Sequence, residues 1–493
     1  MLIEAIIILV ATLCASYYWL FGFWNRRNVF NVKFQITFLT FIKVLIKNEH
    51  LGNIFADIYK KYKSHGMVGF YILFDPMLLV TNPKLVEEVI VKEFNKFHDT
   101  PTEMKKGINP LFALNPFAAK GTEKWKELRS IQASNMTTFR FKEILPIIYC
   151  VAENMVNYLT EMKMEPIAAK ELSFLFSVES SCLCGFGVQP NAFTDSENSF
   201  IEYSENIFKP SPFTMFCHFL LPWIGNLLKL RILSKDAEES FILFVKTIFE
   251  YRSRSNVTKN DFIYYLMKLN QKLKEGNKPE YSNVELAGHC LTYYLDSTQT
   301  TSNQLAFFLL DLANHQHVQD KLRKEISSIS NSPRDFDLEK VNSIRYLNMA
   351  INESLRMHTQ GTWISRTCTQ DAVIGNTPIP KGTKVFVPVE AFHNDPEWFP
   401  SPEKFDPERF SEERKDSIPK YTFLPFGEGP RICVGYKLAL LQIRMAVIFL
   451  VLNFTILPSS KVDREEIVLE NALLPTPGHN AKLKFKPMKC IDQ

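Results

Sequence analysis

Residues 426–435 of this chain read FGEGPRICVG, and this stretch decides the fold. It places one cysteine, Cys433, in a loop punctuated by glycines, with Arg431 two residues before it and an apolar segment after it. A thiolate that ligates a metal needs backbone N–H donors, and glycine lets the backbone approach the sulfur, or a flat ligand on it, without a Cβ clash. The glycines in this position are Gly427, Gly429 and Gly435.

A lone cysteine does not build a structural zinc site, which takes four ligands, but it can serve as the single axial thiolate of a haem. Arg431 then suits a haem propionate, because a guanidinium binds a carboxylate through two parallel hydrogen bonds. The alternative is a glycine-rich turn around a buried cysteine. Five positions that meet the cofactor requirement together favour the haem interpretation.

The stretch matches, without a gap, the haem-binding signature Phe-Gly-x-Gly-x-Arg-x-Cys-x-Gly, and the chain resembles the cytochrome P450 haem-thiolate monooxygenases over nearly its whole length. The likeness is greatest to microsomal members from insects. It implies haem b as the cofactor, with Cys433 as the proximal iron ligand and with Phe426, Gly427 and Gly435 in the cofactor loop. The implied fold is mainly α-helical with small β-sheets, in a single catalytic domain.

Further cofactor residues follow from the same resemblance. Trp125 and Arg129 are four residues apart, so a helix places the indole N–H and the guanidinium on one face. Taken alone, this pair is more often an exposed helix with a half-buried tryptophan. In the family such a pair holds a haem propionate, and Arg366 matches a further propionate-binding arginine.

Glu353 and Arg356 are spaced i, i+3, which by itself is more often a surface ion pair. The resemblance adds Arg409 and predicts a buried Glu-Arg-Arg cluster behind the haem. Thr359 and Gln360 stand where the family has prolines after this helix, which leaves the shape of that pocket-lining turn open.

Residues 287–313 have a long helical pattern with one glycine and no proline, interrupted by the polar patch 296–301. Polar side chains in the middle of such a helix are costly unless they are solvated or functional. The resemblance makes this the oxygen-binding helix, with Thr300 as the oxygen-facing threonine.

This helix departs from the family at two points. The residue before Thr300, usually an acid, is Gln299, and the usual Ala-Gly pair is replaced by Asp296 and Ser297. An amide does not exchange protons as a carboxylate does, whereas Asp296 lies one turn before Thr300 on the same face. We expect Asp296 to deliver protons towards Thr300 or to contact a polar or basic substrate group; the alternative is a hydrogen bond to a neighbouring hydroxyl.

Composition sets outer limits on function. The 493 residues are 46% hydrophobic and carry a net charge of +4, which is too slight for a nucleic-acid-binding protein of this length. The odd number of cysteines has no paired framework and suits a reducing compartment. We expect two buried thiols on a helix, rather than a metal pair, at Cys182 and Cys184.

Residues 5–24 carry no charge, end in aromatic side chains and are followed by Arg26 and Arg27, the pattern of a membrane-spanning signal anchor. A cleaved signal peptide would have a shorter apolar region preceded by basic residues. We expect residues 1–27 to form the anchor with its basic flank, and residues 28–493 to form a catalytic domain on the cytosolic side of the endoplasmic reticulum membrane. The usual proline-rich hinge is missing from residues 28–35.

Residues 212–230 are apolar but are broken by Pro222 and Gly225, too interrupted to span a bilayer. They read equally well as core or as a lid that dips into lipid over the substrate channel, with Lys229 and Arg231 reaching the interface.

The resemblance implies insertion of one oxygen atom from dioxygen into a lipophilic substrate such as a xenobiotic, toxin, steroid or fatty acid. The implied electron source is NADPH through a flavoprotein reductase, with cytochrome b5 as a further partner, and Lys124, Lys126 and Lys437 are candidates for the docking face. One alternative is a haem-thiolate isomerase or dehydratase acting on a peroxide, which the presence of Thr300 in the oxygen-binding helix disfavours. The other is a non-catalytic lipophile-binding haem protein.

Overall fold

The computed structural model describes residues 2–36, 52–194, 199–207, 211–255, 259–459 and 474–488. Its α-helices are, in chain order, α1 Leu2–Phe21, α2 Gly52–Tyr62, α3 Pro83–Glu87, α4 Thr122–Ala133, α5 Thr138–Glu161, α6 Ala169–Phe186, α7 Ser199–Ile207, α8 Pro212–Leu220, α9 Pro222–Leu227, α10 Lys235–Ser255, α11 Phe262–Glu275, α12 Asn283–Asn314, α13 Gln316–Ile329, α14 Leu338–Ser343, α15 Arg345–Met357, α16 Val389–His393 and α17 Tyr436–Asn453.

The strands are short and form three small sheets. They are β1 Asn31–Ile36, β2 Met67–Ile72, β3 Asp75–Val80, β4 Ile167–Ala168, β5 Ile364–Thr367, β6 Ala372–Ile374, β7 Thr377–Ile379, β8 Lys384–Val387, β9 Phe454–Pro458 and β10 Lys482–Pro487. The largest sheet has the order β1-β2-β3-β8-β5, the second has the order β4-β10-β9, and β6 pairs with β7. The predicted fold class, mainly α with small sheets, is confirmed.

The 32-residue helix α12 is the central element of the helical core. It begins with a capping box, in which the Ser282 hydroxyl accepts from the Glu285 backbone N–H and the Glu285 carboxylate accepts from the Ser282 backbone N–H. Its apolar turns pack mainly against α6, and further contacts reach α10 and α17. A helix of this length crosses the molecule, so its polar centre lies deep inside.

A second apolar cluster lies around the five-stranded sheet and includes the end of the N-terminal helix. Trp24 is fully buried against Gly69 of β2, where a Cβ would come within 2.4 Å of the indole. The indole Nε1–H donates to the Phe70 carbonyl at 3.3 Å, and the Tyr71 hydroxyl donates to the Phe21 carbonyl at 2.8 Å. The end of α1 is thus packed onto the sheet without a hinge; the domain division at residue 27 stays a prediction.

Two helices, Glu4–Phe21 and Tyr436–Asn453, are long and apolar enough to cross a membrane. Their surroundings differ, since none of the N-terminal window is buried, whereas most of the α17 window is buried in the helical core. Composition alone does not separate them, and burial identifies α17 as a core helix.

The cysteines of the described ranges are all free thiols. Cys182 and Cys184 are buried on α6, as predicted, and burial raises the pKa of the Cys184 thiol to about 12. No group of three or more potential metal ligands among His, Cys, Asp and Glu occurs within these ranges. Cys490 lies outside the described residues.

Candidate active site

Cys433 lies in the loop that the sequence singled out, between a 3₁₀ turn at Gly429–Arg431 and the start of α17. Gly427 and Gly429 have φ angles of 72° and 74°, which favour glycine. A Cβ at Gly429 would come within 2.3 Å of the Ile90 carbonyl oxygen, so this glycine allows close backbone packing. A Cβ at Gly435 would meet no atom within 4 Å, because this residue borders an open cavity.

Cys433 borders this internal cavity, so its side chain is exposed to the cavity and yet far from bulk water. Burial raises the pKa of the Cys433 thiol to about 11. The backbone N–H groups of Gly435 and Tyr436 and the charge of Arg129 act in the opposite direction and favour the thiolate. A bound metal cation would complete that shift, because it deprotonates a coordinating thiol.

Three arginines border the cavity without an acidic partner. Among the described residues, no carboxylate lies within ion-pair distance of Arg129, Arg366 or Arg431. Burial lowers the pKa of Arg366 to about 9 and that of Arg431 to about 10, and the Nε atoms of both are buried without a hydrogen-bond partner. Buried guanidinium groups of this kind require anions. The two propionates of a haem would supply them, so the residues present fit that cofactor.

Trp125 lies among these arginines, as the sequence predicted. The Arg431 guanidinium carbon is 4.9 Å from the centre of its ring and that of Arg129 is 5.8 Å away. Arg129 also donates to the carbonyl of Ile432, next to Cys433, at 2.7 Å. The structure therefore brings Trp125, Arg129, Arg366 and Arg431 to the same cavity as Cys433.

Glu353, Arg356 and Arg409 form a buried ion cluster. The Glu353 carboxylate accepts from Nε and Nη2 of Arg356 at 2.9 and 2.8 Å, and from Nε of Arg409 at 3.1 Å. The remaining guanidinium N–H groups donate to backbone carbonyls, such as that of His393 at 2.7 Å. A buried ion pair is stable only with this degree of hydrogen bonding. The cluster fixes the segment that leads towards the cysteine loop onto α15.

The polar centre of α12 faces the cavity from another side. Asp296, Gln299 and Thr300 all line it together with Cys433. The Thr300 hydroxyl donates to the backbone carbonyl of Asp296 at 2.9 Å, whereas the Asp296 carboxylate accepts from the Asn115 amide at 3.4 Å. The partner of the carboxylate is thus an amide and not a neighbouring hydroxyl, and delivery of protons towards Thr300 or contact with a substrate group stays a prediction.

The environment of Asp296 changes its acidity. Burial away from bulk water raises the pKa of its carboxyl group to about 7, and the hydrogen bond from Asn115 partly opposes this rise. A carboxyl group with this pKa exchanges protons readily near neutral pH, in contrast to the neighbouring amide of Gln299.

The cavity has a volume of about 1620 Å³, well above the usual range of roughly 300–1,000 Å³ for a small-molecule site. Its apolar walls include Phe112, Phe117, Met215, Phe216, Phe219, Leu355, Trp363 and Ile364. This space accommodates a haem and a lipophilic substrate together.

The segment 212–230 has an inner surface on the cavity and an exposed outer surface, and its contact with lipid stays a prediction. Met215, Phe216 and Phe219 border the cavity, while Trp223, Leu227 and Leu228 are exposed. Lys229 is exposed as expected, but Arg231 pairs with Glu238 at 2.7 Å and is held against the protein.

The candidate docking lysines lie on the surface. Lys124 pairs with Glu127 at 3.0 Å and Lys126 with Glu123 at 3.4 Å, both within α4, whereas Lys437 is exposed at the start of α17. The two lysines on α4 thus resemble an ordinary charged helix face, and a docking role remains a prediction.

A buried amide network was missed in the sequence. Nδ2 of Asn303 on α12 donates to Oε1 of Gln360 at 3.0 Å and to the Thr476 hydroxyl oxygen at 2.9 Å, while Oδ1 of Asn303 accepts from Nε2 of Gln299 at 3.0 Å. The signal that could have revealed it was the set of amides at positions where the family has an acid and a proline.

A buried cysteine facing unpaired arginines, beneath a long helix with a polar centre, defines a haem-thiolate enzyme. The cytochrome P450 family model matches residues 33–485, and the chain belongs to this family. The family binds haem, and the chain is accordingly a haem-thiolate monooxygenase.

The curated relatives span nearly the same length as this chain. Cytochrome P450 6j1 of Blattella germanica is 29% identical over 445 residues, covering 89% of this chain and 88% of the relative. Cytochrome P450 6a2 of Drosophila melanogaster is 29% identical over 489 residues, covering 95% of each. Cytochrome P450 3A28 of Bos taurus is 32% identical over 409 residues, covering 81% and 80%. The expected likeness to insect members is confirmed.

Proposed function

We propose that this chain inserts one oxygen atom into a lipophilic small molecule, using electrons from NADPH that a separate flavoprotein reductase delivers. The observation that carries the proposal is the single cavity in which Cys433, the unpaired arginines and Thr300 face a mainly apolar wall. Haem supplies the iron chemistry that activates dioxygen. The chain's own residues hold the cofactor, exclude bulk water and offer apolar surface to the substrate.

The proposed residue roles follow the geometry. Cys433 ligates the iron, and Arg129, Arg366, Arg431 and Trp125 hold the propionates. On the opposite side of the cavity, the Thr300 hydroxyl already donates to its own helix, so its oxygen is left to accept a hydrogen bond. Asp296 provides an exchangeable proton one turn away.

We also propose a location. Helix α1 would hold the chain in the endoplasmic reticulum membrane as a single span with the catalytic domain on the cytosolic side, where the reductase and cytochrome b5 would dock. The exposed apolar helix and Arg26 and Arg27 after it support this topology.

Reconstitution tests the reaction. Purified protein would be combined with lipid, an NADPH-dependent reductase and a library of lipophiles chosen by their effect on the haem absorption spectrum. We expect NADPH consumption that depends on substrate, and a product that carries one atom from ¹⁸O-labelled dioxygen. A reductase-independent rearrangement of peroxides, or binding with no turnover across all spectral ligands, would contradict the proposal.

A further inference from the structure

In the buried amide network of Gln299, Asn303, Gln360 and Thr476, each group has one possible orientation of its donors and acceptors. Two backbone carbonyls set these orientations. Nε2 of Gln360 donates to the His358 carbonyl at 3.3 Å, so Oε1 of Gln360 is the end of that amide that meets Asn303. The Thr476 hydroxyl donates to the Leu474 carbonyl at 3.1 Å, so its oxygen accepts from Asn303. Because a carbonyl only accepts, neither the Gln360 amide nor the Thr476 hydroxyl can be reversed without losing these bonds.

Two independent acceptors therefore require Asn303 to present its Nδ2 group to both of them. Asn303 is fully buried, so a reversed amide would leave its polar atoms without partners in the core. Its Oδ1 atom consequently faces Gln299 and accepts from Nε2 of that residue at 3.0 Å. The His358 and Leu474 carbonyls therefore determine, through Gln360, Thr476 and Asn303, how the Gln299 amide is oriented.

Gln299 borders the cavity, whereas Asn303 does not. With Nε2 engaged by Asn303, Oε1 is the free end of the Gln299 amide, and it has no partner among the residues that the structure describes. Asp296 lies one turn earlier on the same face of α12, and its carboxylate is a second acceptor when it is ionised. The Gln299 amide therefore offers its carbonyl oxygen as an acceptor to this part of the cavity.

We propose that Gln299 is a specificity-determining residue whose Oε1 accepts a hydrogen bond from a hydroxyl or N–H group of a lipophilic substrate, and that Asn303 is the positioning residue that fixes this orientation. The proposal rests on the proposed lipophile-oxidising function and names the substrate class more closely. A ligand whose only polar group is an ether or a carbonyl has no hydrogen to donate to that oxygen.

The test is a binding titration, which needs no turnover and so separates this proposal from the proposed reaction. The probes are pairs that differ by one donor, an alcohol and its methyl ether, on a linear, a bicyclic and a tetracyclic apolar scaffold. Dissociation constants come from the change in haem absorption of the purified holoprotein. We expect the wild type to bind the alcohols about three- to tenfold more tightly, the value of one neutral hydrogen bond.

Two variants separate the acceptor from its positioning. Gln299→Leu removes the acceptor, so the alcohols should weaken to the level of the ethers while the ethers change little. Asn303→Leu frees the Gln299 amide to turn its Nε2 towards the cavity, so the alcohols should weaken and the ethers should bind more tightly. A purely structural role of Asn303 would weaken both members of each pair alike.

Gln319→Leu is the matched control. Gln319 is also a fully buried amide, and it joins α13 to β9 through hydrogen bonds with Ile456 at 3.0 and 2.9 Å, but it does not border the cavity. The Gln319→Leu substitution should lower thermal stability and leave the preference for alcohols over ethers unchanged. Equal binding of alcohols and ethers by the wild type, or an unchanged preference in both Gln299→Leu and Asn303→Leu, would overturn the proposal; should Asn303→Leu not fold, Gln299→Leu decides.

Discussion

The cysteine side and the α12 side of the cavity differ in how closely their residues match the family. On the cysteine side, each residue that the family signature requires is present, and the structure brings Cys433, the arginines and Trp125 together as predicted. On the α12 side, an acid, a glycine and a proline of the family are replaced by Gln299, Ser297 and Gln360. The first side has to fit a cofactor of fixed shape and charge, whereas the second has to fit a substrate, so only the first is closely constrained.

The largest expected effect comes from removing the thiolate. Cys433→Ser should abolish turnover and eliminate the red-shifted band that thiolate-ligated ferrous haem shows with carbon monoxide, because an alcohol oxygen is a weak ligand with a far higher pKa. Absorption spectra of the reduced protein with carbon monoxide measure this. An unchanged band would remove the basis for treating the cysteine side as the constrained one.

The next effect tests the ion cluster behind that side. Glu353→Gln leaves Arg356 and Arg409 buried without a countercharge, and breaking a buried pair in this way costs about 3–5 kcal/mol. We expect a large loss of haem content and of thermal stability, measured by haem absorbance per protein and by calorimetry.

A matched control is Glu153→Gln, which breaks the exposed ion pair with Arg334 at 2.6 Å. Exposed pairs contribute about 0–1 kcal/mol, so haem content should not change. Equal effects of the two substitutions would mean that burial of the cluster does not matter for cofactor retention.

The fold and the cysteine side were predictable from the sequence because their requirements are local or rest on family spacing. The signature loop lies within ten consecutive residues, and the apolar residues of α12 recur with the spacing of a helix on both sides of its polar centre. The amide network was not predictable, because it joins Asn303, Gln360 and Thr476, which are far apart in the sequence and meet only in the folded chain. The alternative of a hydrogen bond from Asp296 to a neighbouring hydroxyl is not found at Thr300, because a threonine hydroxyl in a helix readily donates to the carbonyl one turn before it.

On the α12 side, Asp296→Asn should act on proton supply. If Asp296 delivers protons, the variant keeps the haem spectrum and substrate affinity but diverts severalfold more of the consumed NADPH to hydrogen peroxide. The pKa of about 7 gives the sign of the pH dependence. Below pH 7 the carboxyl group holds its proton and coupling is best; above pH 7 the group ionises and peroxide release rises in the wild type.

The same variant distinguishes the alternatives for Asp296. An amide does not titrate in this range, so peroxide release by Asp296→Asn should be high and nearly independent of pH. If Asp296 contacts a basic substrate group instead, affinity falls first and coupling is retained. Normal coupling together with normal affinity would assign Asp296 a structural role through its contact with Asn115.

The smallest effect concerns the outer surface of the α8–α9 segment, whose inner surface borders the cavity. A chain without residues 2–20 lacks the exposed part of α1 and keeps Phe21 and Trp24, which contact the five-stranded sheet. If Leu227, 72% exposed on α9, enters the lipid, this shortened chain should still bind vesicles, and Leu227→Ser should weaken that binding about fivefold, as expected for burying part of one leucine. Leu243→Ser on α10, where the leucine is 62% exposed, is the control and should have no effect. Sedimentation with phospholipid vesicles measures the binding of both variants. No binding by the shortened chain, or equal losses of binding in both variants, would mean that the outer surface of the α8–α9 segment does not contact the membrane through α9.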